Sequence, residues 1–347
     1  MTFFSTEMVS KYHPDKYADQ ISDAILTEIL KSDPEARVAC ECLAKDNTVV
    51  LAGEITTKAR PSYNTIVRRV AKSLNYKVAK IINLITTQST EIGGAVDSDE
   101  RLGAGDQGMM FGYAVKGGKY FLPYGQEVAI DIIKAIEKDI AENPATIFKG
   151  DAKTQVTTIT SESGYVKPID TILISACHKE GLSLSQVQNR VRQLLDENGI
   201  PQAQKTLINP AGVWNFGGPV ADCGLTGRKI VCDQYGGYAP VGGGSFSGKD
   251  PSKVDRSGCY MARRIAVDMV KKHNFDSCSV QLAYAIGISE PVSVAAFGFE
   301  DNGKRTDVSD EVRSSYDLTP KGIIDHLDLI HLDYAKISGG NHMIHFV

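Results

Sequence analysis

The chain has 347 residues, 42% hydrophobic and 23% charged, with a net charge of −4. That length accommodates about two to three domains, and the mild acidity excludes the basic surface that a nucleic-acid-binding protein needs. Apolar runs all fall short of the roughly 18 residues of a membrane span, so no membrane partner is expected.

Seven scattered cysteines, at 40, 42, 177, 223, 232, 259 and 278, form no C-x-x-C pair. A zinc ribbon or disulfide framework is therefore not supported, and reduced thiols in a cytoplasmic protein are expected. The N-terminus has no basic region followed by an apolar run, so no signal peptide is expected.

The first predicted element follows His13-Pro14-Asp15-Lys16. Ala18, Ile21, Ile25 and Ile29 recur at i+3 and i+4, the pattern of an amphipathic helix. Pro14 suits the first turn, where its missing N–H is not needed. His13 and Asp15 then stand at a helix N-terminus, whose N–H groups favour anions; the plainer reading makes His13 a cap. Residues 37–44 and 49–56 read as strands around a turn at Asp46-Asn47. Glu41 and Glu54 interrupt these apolar runs, which are expected to be buried, and a buried carboxylate needs a partner or a metal; the plainer reading is that isolated strand acids are edge or solvated residues. A helix is expected over 63–74 and a strand over 79–87. Residues 88–102 are polar, with Gly93-Gly94 and acids at Asp97, Asp99 and Glu100; they read as a lid or as a plain connector.

Residues 103–113, GAGDQGMMFGY, satisfy G-x-G-x-x-G. A dinucleotide site needs an apolar strand before this motif and a helix after it. The preceding residues are DSDERL, and Asp106 would face a pyrophosphate without a cation. The dinucleotide reading is rejected, although Glu127 lies near the expected distance for a ribose-binding acid.

A helix is expected over 126–140, with Val128, Ile132, Ile136 and Ile140 on one face. Asp151-Ala152-Lys153 precedes a strand at 154–160, and 169–176 is a nearly all-apolar strand. Ser183 caps a helix through Leu195, with Leu184, Val187, Val191 and Leu194 inward. Residues 209–219 form a Gly/Pro loop carrying Trp214, the only tryptophan, which is suited to stacking on a base. Residues 222–229, DCGLTGRK, again combine glycine with paired cations.

Residues 242–257, GGGSFSGKDPSKVDRS, concentrate the chemistry. Glycines allow close backbone approach to a ligand. Lys249, Lys253 and Arg256 supply cations, and Asp250 and Asp255 stand among them. Lysines with a carboxylate that holds Mg²⁺ suit a polyphosphate, whose charge they share. The P-loop pattern G-x-x-x-x-G-K fits residues 243–249, but Asp250 stands where Ser or Thr is required. Pro251 also biases Asp250 away from the helical region. Beyond it, a helix is expected over 258–272, strands over 280–288 and 292–299, a helix over 309–314 and a last one from Pro320 through Leu329. The order is not strictly βαβ, which favours α+β layers, and no literal internal repeat is seen.

Taken together, HPDK at 13–16, GEIT at 53–56, GAGDQGMMFGY at 103–113, DAK at 151–153, and the segments 222–229 and 242–257 resemble the S-adenosylmethionine synthetase (methionine adenosyltransferase) family. The resemblance runs in family order from residue 7 to about 330. It implies an α+β fold of three similar domains around a pseudo-threefold axis. In chain order the segments are 1–98, 99–217 and 218–347. The structural domains would be discontinuous: 1–11 with 117–217, 12–98 with 218–257, and 99–116 with 258–347. It also implies homodimers, or dimers of dimers, with active sites between subunits.

The implied reaction joins L-methionine to ATP. Sulfur displaces triphosphate from C5′, and the triphosphate is hydrolysed to pyrophosphate and phosphate. By resemblance His13 stabilises the leaving group, helped by Lys153, Arg228, Lys229, Lys249 and Lys253. Asp15 and Asp255 each help hold one of two Mg²⁺ ions, and Glu41 sits at a K⁺ site. Trp214 and Ile286 sandwich adenine, with Asp106 nearby, and Asp151, Asp222 and Ser245 complete the ATP site. Glu54, Gln88, Asp222 and Lys253 take the amino-acid end of methionine. The chain departs from the family pattern at Lys11-Tyr12, where Glu-Gly is usual. Other departures are Ser245 for Ala, Glu91 for Asp in a shorter loop, Trp214 for Phe, and a C-terminus without the longer tail. None removes a charged catalytic position. The rival readings are a methionine-independent nucleoside-triphosphate hydrolase or kinase, and a non-catalytic nucleotide-binding regulatory subunit.

Overall fold

The structure is a computed structural model that describes residues 2–87, 97–98, 101–160 and 166–347. In chain order its elements begin with β1 (Thr2–Val9), α1 (Pro14–Leu30), β2 (Arg37–Lys45), β3 (Thr48–Thr56), α2 (Tyr63–Ser73) and β4 (Lys80–Thr86). The short pair β5 (Asp97–Ser98) and β6 (Arg101–Leu102) precedes β7 (Gly108–Val115), α3 (Tyr124–Glu142), β8 (Phe148–Thr160), β9 (Val166–His178), α4 (Leu184–Glu197) and β10 (Lys205–Ile208). Then follow β11 (Gly224–Leu225), α5 (Ile230–Asp233), α6 (Val254–His273), β12 (Ser277–Tyr284), β13 (Ser293–Phe299), β14 (Arg305–Asp307), α7 (Ser309–Ser315), α8 (Pro320–His326) and α9 (Tyr334–Ile337).

Among the described residues three four-stranded sheets share one plan over their first three strands, the fourth being parallel in two (β10, β4) and antiparallel in the third (β14). Their orders are β1-β8-β9-β10, β11-β2-β3-β4 and β7-β12-β13-β14. Each has a central antiparallel pair of consecutive strands and a first edge strand brought from a distant part of the chain: Val9 pairs with Lys153, Gly224 with Ala44, and Gly108 with Tyr284. One long helix covers the inner face of each sheet: α3 on β8 and β1, α1 on β2 and β11, α6 on β7 and β12. This is a mixed α+β architecture, and no helix among the described residues is long and apolar enough to cross a membrane.

Local sequence accounts for most element ends. His13 caps α1 and Pro14 occupies its first turn; Ile21, Ile25 and Ile29 are fully buried beneath it. Ser183 and Gln186 form a reciprocal capping box on α4.

Other expectations are corrected. α6 begins at Val254 rather than 258, which places Asp255 in its first turn. β8 begins at Phe148, so Asp151 and Lys153 lie within a strand rather than before one. β12 stops at Tyr284 rather than 288. α8 ends at His326, short of Leu329, and Asp328 just beyond it has a φ of 50°. Glu41 and Glu54 are exposed, not buried: β2 turns Val38, Cys40, Cys42 and Ala44 to the core and Glu41 to the opposite face. The rejection of the dinucleotide reading stands: the segment after GAGDQ is a strand, β7, not the helix such a fold requires. Most of the proposed lid over 88–102, including Gln88 and Glu91, lies outside the described residues.

Candidate active site

Helix α1 is buried on nearly every side and carries a polar ladder at i+4 spacing. Asp15 Oδ1 accepts Leu225 N–H at 2.9 Å, Asp19 Oδ1 accepts Gly227 N–H at 2.9 Å, and Asp23 Oδ1 accepts Gly248 N–H at 2.8 Å. One turn on, Thr27 Oγ1 accepts Ala335 N–H at 3.1 Å. Residues four apart share one helix face, so one helix pins both cation-bearing loops. The outer edge of β2 holds the same loops by backbone: Thr226 N–H bonds Cys42 O, Cys40 N–H bonds Gly248 O, and Asp250 N–H bonds Val38 O. Gly227, with a φ of +80°, leaves room for Ser245: a Cβ there would lie 2.4 Å from that of Ser245.

This ladder was not recognised in the sequence, where α1 yielded only its apolar face. Its signal was the run Asp15, Asp19, Asp23 on a helix with apolar residues all around. Asp19 and Asp23 are both fully buried, and each has a buried cation. Lys16 Nζ lies 3.1 Å from Asp19 and 2.6 Å from Asp233, while Arg256 is bidentate to Asp23 at 2.7 Å.

Around His13 the structure gathers Asp15, Asp151, Lys153, Asp222 and Lys229, all close enough to act on its charge or on one another's. His13 Nδ1 accepts Asp15 N–H at 3.1 Å. Burial, then Lys229 and Lys153, lowers the imidazole to about 3, so it is neutral at pH 7 with its proton on Nε2. Lys229 Nζ lies 2.6 Å from Asp15, and Arg228 Nε 3.8 Å. Burial pushes Asp15 up, but the Lys229 ammonium and the Leu225 N–H hold it below its ordinary value. Ser10 ties this turn to β8, donating to Gly150 O at 2.8 Å and accepting Ala152 N–H at 3.1 Å. Asp151 Oδ2 accepts Gly218 N–H at 2.8 Å, while its buried Oδ1 has no partner among the described residues. Burial raises Asp151 to about 6.

A second group lies around the other loop. Lys249 pairs with Asp255, and Lys253 with the buried Asp250. The Asp255 carboxylate sits beside Gly244, where a Cβ would meet it at 2.6 Å. Although Glu41 lies on the open sheet face, partial desolvation by its neighbours raises it, the nearby Glu54 charge raises it further, and Lys249 opposes both. Asp106 accepts its neighbour Gln107's N–H, and Ala104 bridges to Ile286, which is 51% exposed. Trp214 sits on a different sheet's loop, held through His178 Nε2 at its N–H, with its indole N–H on Phe216 O at 2.9 Å. The chain thus sets Trp214 and Ile286 on loops of separate sheets rather than on one loop.

Three family models cover the chain in sequence. Residues 1–98 match the S-adenosylmethionine synthetase N-terminal domain, 101–214 its central domain and 216–346 its C-terminal domain.

Proposed function

The chain belongs to the S-adenosylmethionine synthetase family, and we propose from that premise how its residues act as a methionine adenosyltransferase on ATP and methionine. The sulfur lone pair forms a bond to C5′ as the C5′–O bond breaks, and the bond's electron pair leaves on the triphosphate oxygen. Sulfur is nucleophilic without deprotonation, so the difficulty lies in the charge that develops on that oxygen. Donors held in place before the reaction stabilise it most.

The observation that carries this reading is the state of His13. Its Nδ1 is engaged by Asp15 N–H and its imidazole is neutral. The proton is therefore on Nε2, a donor free of the cap, which we assign to the leaving oxygen. Lys153, Arg228, Lys229, Lys249 and Lys253 share the remaining phosphate charge. Hydrolysis of the bound triphosphate to pyrophosphate and phosphate follows at the same cations. Trp214 and Ile286 would enclose adenine, with Asp106, Asp151, Asp222 and Ser245 around the nucleotide. Glu54, Gln88, Asp222 and Lys253 would hold the amino-acid end of methionine.

Two Mg²⁺ ions and one K⁺ are assigned to Asp15, Asp255 and Glu41. The donor set fits, because all three are hard carboxylate ligands. Mg²⁺ typically takes one or two protein carboxylates and completes its shell with phosphates and water. When bound, the ions would neutralise polyphosphate charge. Asp15 and Asp255 each already pair with a lysine, Lys229 and Lys249, so the carboxylates and the phosphate-binding cations occupy the same two places.

Self-association as a dimer, or a dimer of dimers, is supported by the outer face of the β11-β2-β3-β4 sheet. Leu43, Leu84 and Leu225 are 36%, 58% and 37% exposed there, around Glu41 and Glu54. A partner covering that face would close the site, and it would account for adenine-binding residues on separate sheets. The domain division 1–11 with 117–217, 12–98 with 218–257, and 99–116 with 258–347 is supported by the strand content of the three sheets. A reduced, cytoplasmic setting is supported by seven free cysteines.

The test is incubation with ATP, methionine, Mg²⁺ and K⁺ followed by product analysis. Equal pyrophosphate and phosphate accompanying S-adenosylmethionine is expected. ADP as the main product without methionine would overturn the reading in favour of a hydrolase or kinase.

A further inference from the structure

The last described turn, His342–His345, sends His342 and Met343 into the core while His345 faces out. Asn341 anchors it, its side-chain amide donating to Cys232 O at 2.8 Å and Gln234 O at 2.5 Å. From His342 a buried relay runs to the loop carrying Lys249. Arg256 Nε donates to Tyr260 OH at 2.9 Å. The phenol thus accepts from arginine, and its hydroxyl lies 2.7 Å from His342 Nδ1, which takes the phenol proton in the tautomer that keeps the imidazole's own proton on Nε2, 3.8 Å from Asp233 Oδ1. The same guanidinium grips Asp23 with both Nη atoms and donates to Lys249 O at 3.1 Å. Asp23 in turn holds Gly248 N–H. His342, Tyr260 and Asp23 are fully buried and Arg256 is 1% exposed. In such an interior an unpaired donor is costly, so each link constrains the next.

We propose that His342 is a positioning residue, its Nδ1 orienting Tyr260 and, through Arg256, setting the backbone at Gly248 and Lys249. This rests on the assignment of Lys249 to the triphosphate. His342 touches no reacting atom; it acts by fixing where the Lys249 ammonium is presented, and a small displacement of such a group is enough to cost catalysis.

The experiment uses the full chain with His342→Leu, which removes the acceptor, His342→Gln, which restores one, and Tyr260→Phe, which cuts the relay at its middle with little change of shape. Affinity for magnesium tripolyphosphate is measured by calorimetry, and kcat and each KM well below the melting temperature. His342→Leu and Tyr260→Phe are expected to weaken tripolyphosphate binding and lower kcat by about tenfold, with the KM for methionine within about twofold of the parent. His342→Gln is expected to recover to within about threefold. If His342→Leu does not fold, Tyr260→Phe carries the test. Lower melting temperatures with parental tripolyphosphate affinity and kcat would overturn the proposal and leave a purely structural turn. Equal impairment of the Gln and Leu variants would also overturn it, because the acceptor would then be irrelevant. If instead the parent protein failed to bind tripolyphosphate, the assignment of Lys249 would fall, which is a separate outcome.

Discussion

His13→Asn separates the cap that His13 forms from the donor role proposed for it. Nδ1 caps α1 at Asp15 N–H, 3.1 Å away, and asparagine is among the best capping residues, so the cap is retained. What asparagine cannot supply is the Nε2–H on the far side of the ring. His13 is only 2% exposed, so the smaller side chain should also cost about 1 kcal/mol of stability, typical of a substitution at a buried position. That is too little to unfold a domain of ordinary stability. Loss of one donor to a developing oxyanion slows reactions by about 10²–10⁴-fold, or roughly 3–5 kcal/mol of transition-state stabilisation. Because that charge exists only as the C5′–O bond breaks, kcat should fall far more than the KM for ATP rises. The assay is a pair of single-turnover rates, one for sulfonium formation and one for hydrolysis of added triphosphate. The second should survive better, since Lys229 and Lys249 remain with their carboxylate partners. Near-parental sulfonium formation would refute the reasoning, leave His13 as a cap, and move the catalytic burden to Lys153 and Lys249.

Asp255→Asn should raise the Mg²⁺ concentration needed for activity while leaving the melting temperature nearly unchanged, because its pair with Lys249 is partly exposed; an unaltered magnesium titration would refute the metal assignment. Asp151 has a folded-state pKa of about 6 against an ordinary 3.8, so the fold favours its protonated form and that contribution is lost as pH rises from about 4 through 6. Asp151→Asn, which can still accept Gly218 N–H, should therefore gain on the parent by up to about 3 kcal/mol at pH 7.5 and by nothing near pH 4. Urea unfolding at the two pH values measures this, and a difference independent of pH would contradict it. Leu43→Lys places a charge on the exposed outer sheet face and should shift light-scattering mass toward the monomer, with activity falling in step; an unchanged mass would remove that face from the proposed interface.

The motifs were legible because the phosphate and metal roles proposed for them make local demands. Glycines where a loop must approach closely, lysines for charge and carboxylates for metal cluster within short windows such as 242–257 and 222–229. The β2–β3 hairpin was equally legible, since a turn at Asp46-Asn47 between β-rich runs needs no distant partner, and Asp46 takes the positive φ of 52° such a turn allows. For Glu41 the buried and the solvated readings both stood, and the structure takes the solvated one. Alternation along a strand separates two faces but does not say which one a helix will cover.

By itself, then, the order of residues determined the helices with strong apolar periodicity, the central hairpins and the chemical identity of the loops, all of which rest on interactions within about ten residues along the chain. The threefold repetition came only through the family resemblance and not from periodicity or spacing, because each sheet's first edge strand arrives from a distant segment, as in Val9 with Lys153 or Gly224 with Ala44. The meaning of Asp19 and Asp23 escaped the sequence. A run of acids at i+4 ordinarily marks a solvated helix face, and only the folded chain supplies Gly227 N–H, Gly248 N–H, Lys16 and Arg256 as buried partners. Burying a charge is tolerable only where its partners are brought to it, and tertiary structure decides where that happens.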